Sequence, residues 1–255
     1  MADTFNLAVF RKIVSAALLS GVLAGLLLTG VQRVQVIPAL LQAEVYEAQA
    51  AEAAPAGHVH DLAEHGHEHA VAAEHEHVAA TAEHHHDPDA WKPANGWERT
   101  FYTAVANISL AIGFALLLGA AISFRGGVSG WHSGLLWGLA GYAVFFVAPS
   151  LGLPPEVPGA ETARLFDRQL WWFLTVLATA GGLALLVFSR TELVKAAGGV
   201  LLLVPHLIGA PQPQIHGSAA PEELAHAFVS AAILANAIFW LALGSLTALF
   251  YKKMA

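Results

Sequence analysis

The sequence predicts an all-α fold, a polytopic bundle of membrane helices, and three observations support this class. Hydrophobic residues make up 56% of the 255 residues and charged residues only 12%, about half the charged fraction of an ordinary soluble domain. Several apolar runs approach the length of about 20 residues that crosses a bilayer. The charge is also divided unevenly, since residues 44–91 contain 11 acids and no lysine or arginine, whereas the rest has 12 basic and 8 acidic residues. An acidic segment is therefore inserted into a mildly basic apolar body.

Six apolar runs predict six transmembrane segments. They cover about 13–31, 101–122, 131–151, 170–188, 196–210 and 227–250. The fifth run is short and contains Pro205, so the alternative is five segments with this run re-entrant. Six crossings place most lysines and arginines on the side that holds both termini, which the positive-inside rule assigns to the cytoplasm. The sequence therefore favours six crossings, with both termini cytoplasmic and the first loop external.

These segments divide the chain into three regions. Residues 1–31 hold the N-terminal region and the first segment, 32–100 form the external loop, and 101–255 form a membrane bundle of four or five further segments. Within the loop, residues 48–90 are rich in Ala, Glu and His and nearly lack aromatic and branched apolar side chains, so they cannot bury a core. We expect this long stretch to be disordered without ligand.

Ten of the 14 histidines fall within 29 residues of that loop. They are His58, His60, His65, His67, His69, His75, His77, His84, His85 and His86. Neutral imidazole is the commonest protein ligand for first-row divalent metals, and the interleaved glutamates raise the local cation concentration. The tract is therefore predicted to bind metal, although Co(II), Ni(II), Cu(II) and Zn(II) all accept such ligands. A solvated linker without a bound ion is the alternative.

The other four histidines lie in or beside predicted membrane segments. His206 follows Pro205 inside the fifth run, where an ionisable group is expensive and is a candidate functional residue; the alternative is a neutral histidine at a helix kink. His216 lies in the next outer loop, and His226 begins the last segment on the same side. His132 begins the third segment at the cytoplasmic side, as an exit ligand or an interfacial residue.

Two glutamates complete the predicted metal ligands. Glu222 precedes His226 by four residues, so both lie on one face of a helix. Glu222 also suits the N-terminal dipole of that helix, which is an equally good explanation of its position. Glu156 lies in the outer loop after the third segment. We expect His206, His216 and His226, with Glu222 or Glu156, to form a mouth that receives the metal.

Three stretches of the chain resemble one family, the predicted cobalt transporter subunit CbtA. They are HSGLLWGLAGYAVFFVAPSLGLPPEVPG (132–159), RQLWW (168–172) and LLLVPHLIGAPQP (201–213), and the N-terminal FRKIVSAALLSGVLAGLLLTGVQ is also typical of that family. The resemblance covers nearly the whole chain. The matching positions are His132, Pro149, Pro154, Pro155, Glu156 and Pro158 in the first motif, and Pro205, His206, Gly209, Pro211 and Pro213 in the last.

The resemblance implies a bacterial inner-membrane protein that imports Co(II) for cobalamin biosynthesis. It also implies a small one-helix partner subunit, CbtB, and the family is usually described with five spans. From the residues themselves, the sequence lacks a G-x-x-x-x-G-K-[ST] phosphate loop, so we expect a channel or carrier and not an enzyme.

Other functions stay open at this point. One alternative is a membrane protein that sequesters or senses metal without moving it, and another is a nickel or zinc permease. A haem oxidoreductase would need two facing intramembrane histidines, and only His206 is clearly inside a segment. Nucleic-acid binding is disfavoured, because the basic residues form no stripe. Membrane lipid and the metal ion are the expected small partners.

Overall fold

The structure is a computed structural model that describes residues 7–53, 91, 93–215 and 217–254. Within these ranges the secondary structure is helical, apart from an isolated antiparallel bridge between Ala160 and Ser218. The helices are α1 (Leu7–Gln35), α2 (Ile37–Ala53), α3 (Trp97–Phe124), α4 (Trp131–Tyr142), a π-helical segment (Ala143–Val147), α5 (Ala148–Ser150), α6 (Leu165–Phe188), α7 (Glu192–Ile208) and α8 (Glu222–Lys253). The prediction of an all-α membrane bundle is confirmed.

The long helices run between two ends of the bundle. At one end, which we call the basic end, Lys12 of α1 lies 4.0 Å from the centroid of the Tyr251 ring of α8. There Arg125, after α3, lies 4.0 Å from the Phe188 ring of α6. At the other end, the loop end, the segments 151–164 and 209–221 lie side by side. Lys12 and Arg125 therefore lie at the same end of the bundle, as the charge pattern predicts.

In the part of the chain that the structure describes, five helical stretches are long and apolar enough to cross a membrane, rather than the preferred six. They are Leu7–Gln35, Trp97–Phe124, Trp131–Ser150, Leu165–Phe188 and Glu222–Lys253. The run around Pro205 forms α7, which has 17 residues and spans about 25 Å, less than a bilayer core of about 30 Å. It does not turn back, however, because α7 begins beside the end of α6 and reaches the loop end at Trp171. It is thus a short helix that connects the two ends.

Small residues bring α1, α3, α4 and α8 into close contact. A Cβ atom added to Gly21 or Gly25 of α1 would lie 2.7 or 2.6 Å from the backbone of Ile112 or Ile108 in α3. Gly134 of α4 packs in the same way against Gly244 and Ala248 of α8. Buried apolar residues of α1, α3 and α8 fill the centre, including Leu28, Leu118, Phe239, Trp240 and Leu243. The close approach of these helices thus depends on small residues at their contacts.

The helix α2 extends the first segment beyond the bundle. Val36 lies between α1 and α2, and backbone hydrogen bonds run from Val36 to Gln32 and from Leu40 to Val36, so the helical path is nearly continuous. Ala43 of α2 packs against Val157 and Ala220 at the loop end. Residues 48–53 are helical, which corrects the prediction that disorder begins at residue 48; alanine and glutamate are strong helix formers and continue the preceding helix.

Candidate functional site

A small polar cavity lies at the loop end, between the segments that follow the third span and α7. The backbone N–H of Glu161 donates to the carbonyl of Gly217 at 2.9 Å, and that of Ala219 donates to Gly159 at 3.1 Å. Gly159 has a φ of +76°, a value that favours glycine. The resulting cavity is about 190 Å³, and its lining includes Glu156, Glu161, Arg168 and Gln212.

An ion pair holds one wall of this cavity. Arg168, in the first turn of α6, donates from Nη2 to Glu156 Oε2 at 2.6 Å, and the two side chains are 27% and 28% exposed. Burial raises the pKa of the Glu156 carboxyl above its ordinary value, and the charge and hydrogen bond of Arg168 only partly offset this. The Arg168 Nε atom is buried and has no partner in the described part of the chain. The cavity therefore combines a half-buried carboxylate with a fixed cation that competes for it.

Pro205 and His206 lie at the other side of the same end. Trp171 of α6 donates from Nε1 to the Pro205 carbonyl at 3.3 Å. The imidazole of His206 lies edge-on to the Trp171 ring, with 6.2 Å between ring centroids, and is half-buried. Trp171 thus fixes the C-terminal turn of α7, and with it the position of the His206 ring, next to the loops that line the cavity.

His226 and Glu222 form a separate, exposed pair at the start of α8. The His226 Nε2 and Glu222 Oε1 atoms are 3.3 Å apart, and the side chains are 76% and 89% exposed. Pro221 precedes the helix, and Glu222 and Glu223 occupy its first turn, where acids stabilise the helix dipole. This position suits the predicted stabilisation of the helix dipole by Glu222, and it places the carboxylate next to the His226 imidazole, whereas its role as a metal ligand stays a prediction.

Of the predicted ligands, the structure places His206, His226, Glu222 and Glu156 at the loop end, but not in one cluster. Among residues 7–53, 91, 93–215 and 217–254, no group of three or more His, Asp and Glu side chains is arranged to hold a metal ion. His132 is exposed and stacks on Trp131 at the basic end, far from the other candidates. His216 and the ten loop histidines from His58 to His86 lie outside the described residues.

Sequence reasoning missed two features of this region, Arg168 and Glu161. Both lie in outer segments without a metal-ligand pattern, and Arg168 counted only as a positive charge on the outer side. A positive charge next to an apolar segment, twelve residues after a glutamate, gives no contact information by itself. The available signal was that six crossings place Arg168 on the side opposite to the termini, against the trend that the positive-inside rule predicts.

Similarity to known proteins covers almost all of these elements. The chain matches the family described as "Probable cobalt transporter subunit (CbtA)" over residues 10–252, from the first turn of α1 to the last turn of α8. Neither the curated proteins nor the solved structures contain a significant match. The match includes the cavity, the Pro205–His206 turn and all five apolar spans, so this multi-pass membrane chain belongs to the CbtA family of cobalt transporter subunits.

Proposed function

We propose that the chain is the membrane-embedded subunit that moves Co(II) into the cell, in a system that supplies cobalt for cobalamin biosynthesis. The observation that carries the proposal is the family match over residues 10–252, and the polar cavity at the loop end supports it. The family description names a subunit, which implies another chain, and the small one-helix protein CbtB is our candidate. Transport without covalent catalysis is the proposed activity.

The external loop acts as the collector of metal. The described parts that flank it, α2 and the start of α3, are joined at the loop end by Arg99 and Glu44, whose Nη1 and Oε1 atoms are 2.8 Å apart. In the chain, the segment with ten histidines therefore connects two helices that are joined to each other at the loop end. Its clustered imidazoles raise the local metal concentration without selecting one metal, and this capture weakens below about pH 6.5 as the imidazoles become protonated.

Transfer into the bundle then uses ligands at the loop end. The carboxylates of Glu156 and Glu161 line the cavity, and the imidazoles of His206, His216 and His226 receive the ion on the same side, with Glu222 near the entrance and His132 at the exit. The basic end faces the cytoplasm of a bacterial inner membrane, in agreement with the positive-inside rule. A membrane potential of about 100 mV then favours entry of a divalent ion by about 4.6 kcal/mol.

Flux measurements in proteoliposomes with the candidate partner test this proposal. We expect saturable Co(II) uptake. Replacing the ten loop histidines with glutamine, at unchanged length, should reduce uptake several-fold at limiting metal and little at saturating metal. His206→Ala should reduce uptake at both concentrations, whereas Leu207→Ala is the matched control, because Leu207 is the next residue and is 82% exposed.

The outcomes separate the alternatives. Saturable metal binding without flux would contradict transport and favour sequestration or sensing. Faster flux of Ni(II) or Zn(II) than of Co(II) would contradict the metal assignment. Undiminished uptake by the His206→Ala variant would remove that imidazole from the pathway.

A further inference from the structure

Two arginine–glutamate ion pairs lie at the loop end, and they differ in geometry. Arg99 donates twice to Glu44, from Nη1 to Oε1 at 2.8 Å and from Nη2 to Oε2 at 3.2 Å, which is the usual two-bond arrangement of such pairs. Arg168 donates once to Glu156, from Nη2 to Oε2 at 2.6 Å. Within the described ranges, the buried Arg168 Nε atom has no partner and the Glu156 Oε1 atom accepts no hydrogen bond. The second pair therefore uses only one of the two carboxylate oxygens.

Exposure does not explain this difference, whereas the cavity at the loop end does. The side chains are 20% and 34% exposed in the Arg99 pair and 27% and 28% exposed in the Arg168 pair. Arg168 and Glu156, however, line the cavity, together with a second carboxylate, Glu161. The cavity measures about 190 Å³, and one water needs only about 10–15 Å³ of such space. There is therefore room beside the pair for a metal ion that keeps some of its waters.

A divalent ion in this cavity would compete with Arg168 for Glu156. At equal distance, a carboxylate attracts a charge of +2 twice as strongly as it attracts a guanidinium group. The same ion repels the guanidinium, whose single hydrogen bond to Glu156 holds it less firmly than two bonds would. Glu161 adds a second carboxylate to the ion and not to the ion pair. These terms all favour displacement of Arg168 by the metal.

Loss of the ion pair would change how α6 is held. Glu156 follows the third span, whereas Arg168 lies in the first turn of α6, so the pair ties α6 to the loop before it. The other cavity walls come from residues 152–163 and 211–217, and α6 contributes Arg168. Trp171, about one turn further along α6, donates to the Pro205 carbonyl of α7. Release of the start of α6 is therefore transmitted to the end of α7.

We propose that the Arg168–Glu156 pair is a latch that the transported metal opens, an inference that rests on the proposed transport function. A Co(II) ion that enters the cavity binds Glu156 and Glu161 and displaces Arg168, and the start of α6 is then free to move. When the ion leaves, Arg168 pairs with Glu156 again. Because conduction requires binding that is weak enough for the ion to depart, this returning cation also prevents the metal from being trapped. Arg168 is thus a positioning residue and not a metal ligand.

Opposite changes in metal affinity test the latch. The protein is the full chain in nanodiscs, with the ten loop histidines replaced by glutamine, and Co(II) is titrated by calorimetry at neutral pH. Arg168→Gln should bind Co(II) several-fold more tightly, because the competing cation is gone. Glu156→Gln should bind it several-fold more weakly, because a ligand is gone. Both substitutions break the same ion pair, so a merely structural role would move the two affinities in the same direction. Arg168→Lys keeps a positive charge and should restore an affinity close to that of the parent.

Hydrogen exchange measures the opening itself. In the parent, Co(II) should lower the protection of residues 165–172 at the start of α6. In the Arg168→Gln protein this protection should be low before metal is added and should fall no further. Arg99→Gln is the matched control, since it breaks the other arginine–glutamate pair of the loop end at similar exposure and outside the cavity lining. It should change neither the Co(II) affinity nor the exchange of α6.

The outcomes distinguish the latch from the transport function. An Arg168→Gln protein with unchanged or weaker affinity would overturn the latch, and so would a parent that binds no Co(II) in this background or whose α6 keeps its protection when Co(II) is bound. If Arg168→Gln does not fold, the response of the parent to Co(II) decides. Release of α6 by Co(II) without flux in proteoliposomes would contradict transport and leave the latch standing, whereas flux without release would contradict the latch alone.

Discussion

The scaffold formed by α1, α3, α4 and α8 differs from the α6–α7 hairpin in how its helices are held. In the scaffold, glycine and alanine stripes bring backbones together, and buried polar groups are paired. The Asn107 amide donates to Thr29 at 3.0 Å and to Gln32 at 2.7 Å, and Thr247 donates to Ser20. The buried asparagine therefore joins α1 to α3 and is not a free ligand. This region has one tightly specified arrangement.

The hairpin has close contacts inside itself but few to the rest of the bundle. Gly182 and Gly198 bring α6 and α7 together, yet α7 packs mainly on α6, and Leu193 and Leu207 are more than 80% exposed. Its buried Thr175 and Thr179 hydroxyls are unpaired. Transporters commonly move one bundle against another around a fixed site. We therefore expect the hairpin, and not the scaffold, to be the part that moves during the proposed transport.

The largest expected effect comes from substitution within the scaffold. Gly25→Ala would place a methyl group 2.6 Å from the Ile108 Cα, and because backbone must then shift, we expect a loss of about 2–3 kcal/mol in the free energy of unfolding. Gly113→Ala is the matched control, since nothing lies within 4 Å of its added Cβ; it should raise stability by about 0.5–1 kcal/mol. Unfolding titrations in SDS measure both. Equal effects would contradict the close contact of α1 and α3.

A smaller and more local effect is expected in the hairpin. The methyl group of Gly182→Ala would lie 2.8 Å from the Gly198 carbonyl oxygen, which separates α6 from α7 and costs about 1–2 kcal/mol. Hydrogen exchange should increase in α7 and remain unchanged in α1 and α3. Gly199→Ala is the control on the neighbouring position, with nothing within 4 Å of its added Cβ. Increased exchange throughout the bundle would show that the hairpin is not a separate unit.

Periodicity and run length predict the scaffold well. Apolar runs of about 20 residues have few structures other than spanning helices available to them. Small residues four apart, such as Gly21 and Gly25 or Gly134 and Gly138, lie at the contacts between these helices. Pro205 correctly identifies the fifth apolar run as the one that differs from the others. Counting that run as a sixth span, however, overestimates its length. α2 escapes prediction because its alanine-rich sequence merges into the low-complexity loop.

Side-chain contacts between distant segments are not predictable in the same way. The pairing of Arg168 with Glu156 depends on how two loops meet, and the level of Thr175 and Thr179 depends on the register of α6 against its neighbours. Ordinary threonines in a helix are expected to bond to their own backbone, so their free hydroxyls carry no signal in the sequence. The π-helical turn is not predictable from the sequence either, because the residues of Ala143–Val147 are typical of a regular apolar helix.

The smallest expected effect concerns the ion pair that links hairpin and scaffold. Glu156 follows the third span and Arg168 begins α6, with 2.6 Å between Oε2 and Nη2. Burial raises the pKa of the Glu156 carboxyl, so the folded protein favours its protonated form. The stability that this form contributes is fully present below the ordinary pKa of about 4.5 and is lost as pH rises through the raised pKa. The ion pair has the opposite pH dependence. At low pH the Glu156 carboxyl becomes protonated, the pair with Arg168 is lost, and the start of α6 is released.

Glu156→Gln separates these two effects. Relative to the parent, its free energy of unfolding should improve by less than about 1 kcal/mol between pH 4 and pH 7, because the glutamine is never forced to ionise. At pH 7, the protection factors for hydrogen exchange at the start of α6, which correct for the intrinsic pH dependence of exchange, should fall to the values that the parent shows at pH 4. Glu192→Gln, which removes the 86% exposed partner of Lys195 at the basic end, is the control and should change stability little. A variant whose stability relative to the parent falls as pH rises would reverse the sign argued for Glu156, and would mean that the attraction of Arg168 outweighs the cost of burying the carboxylate.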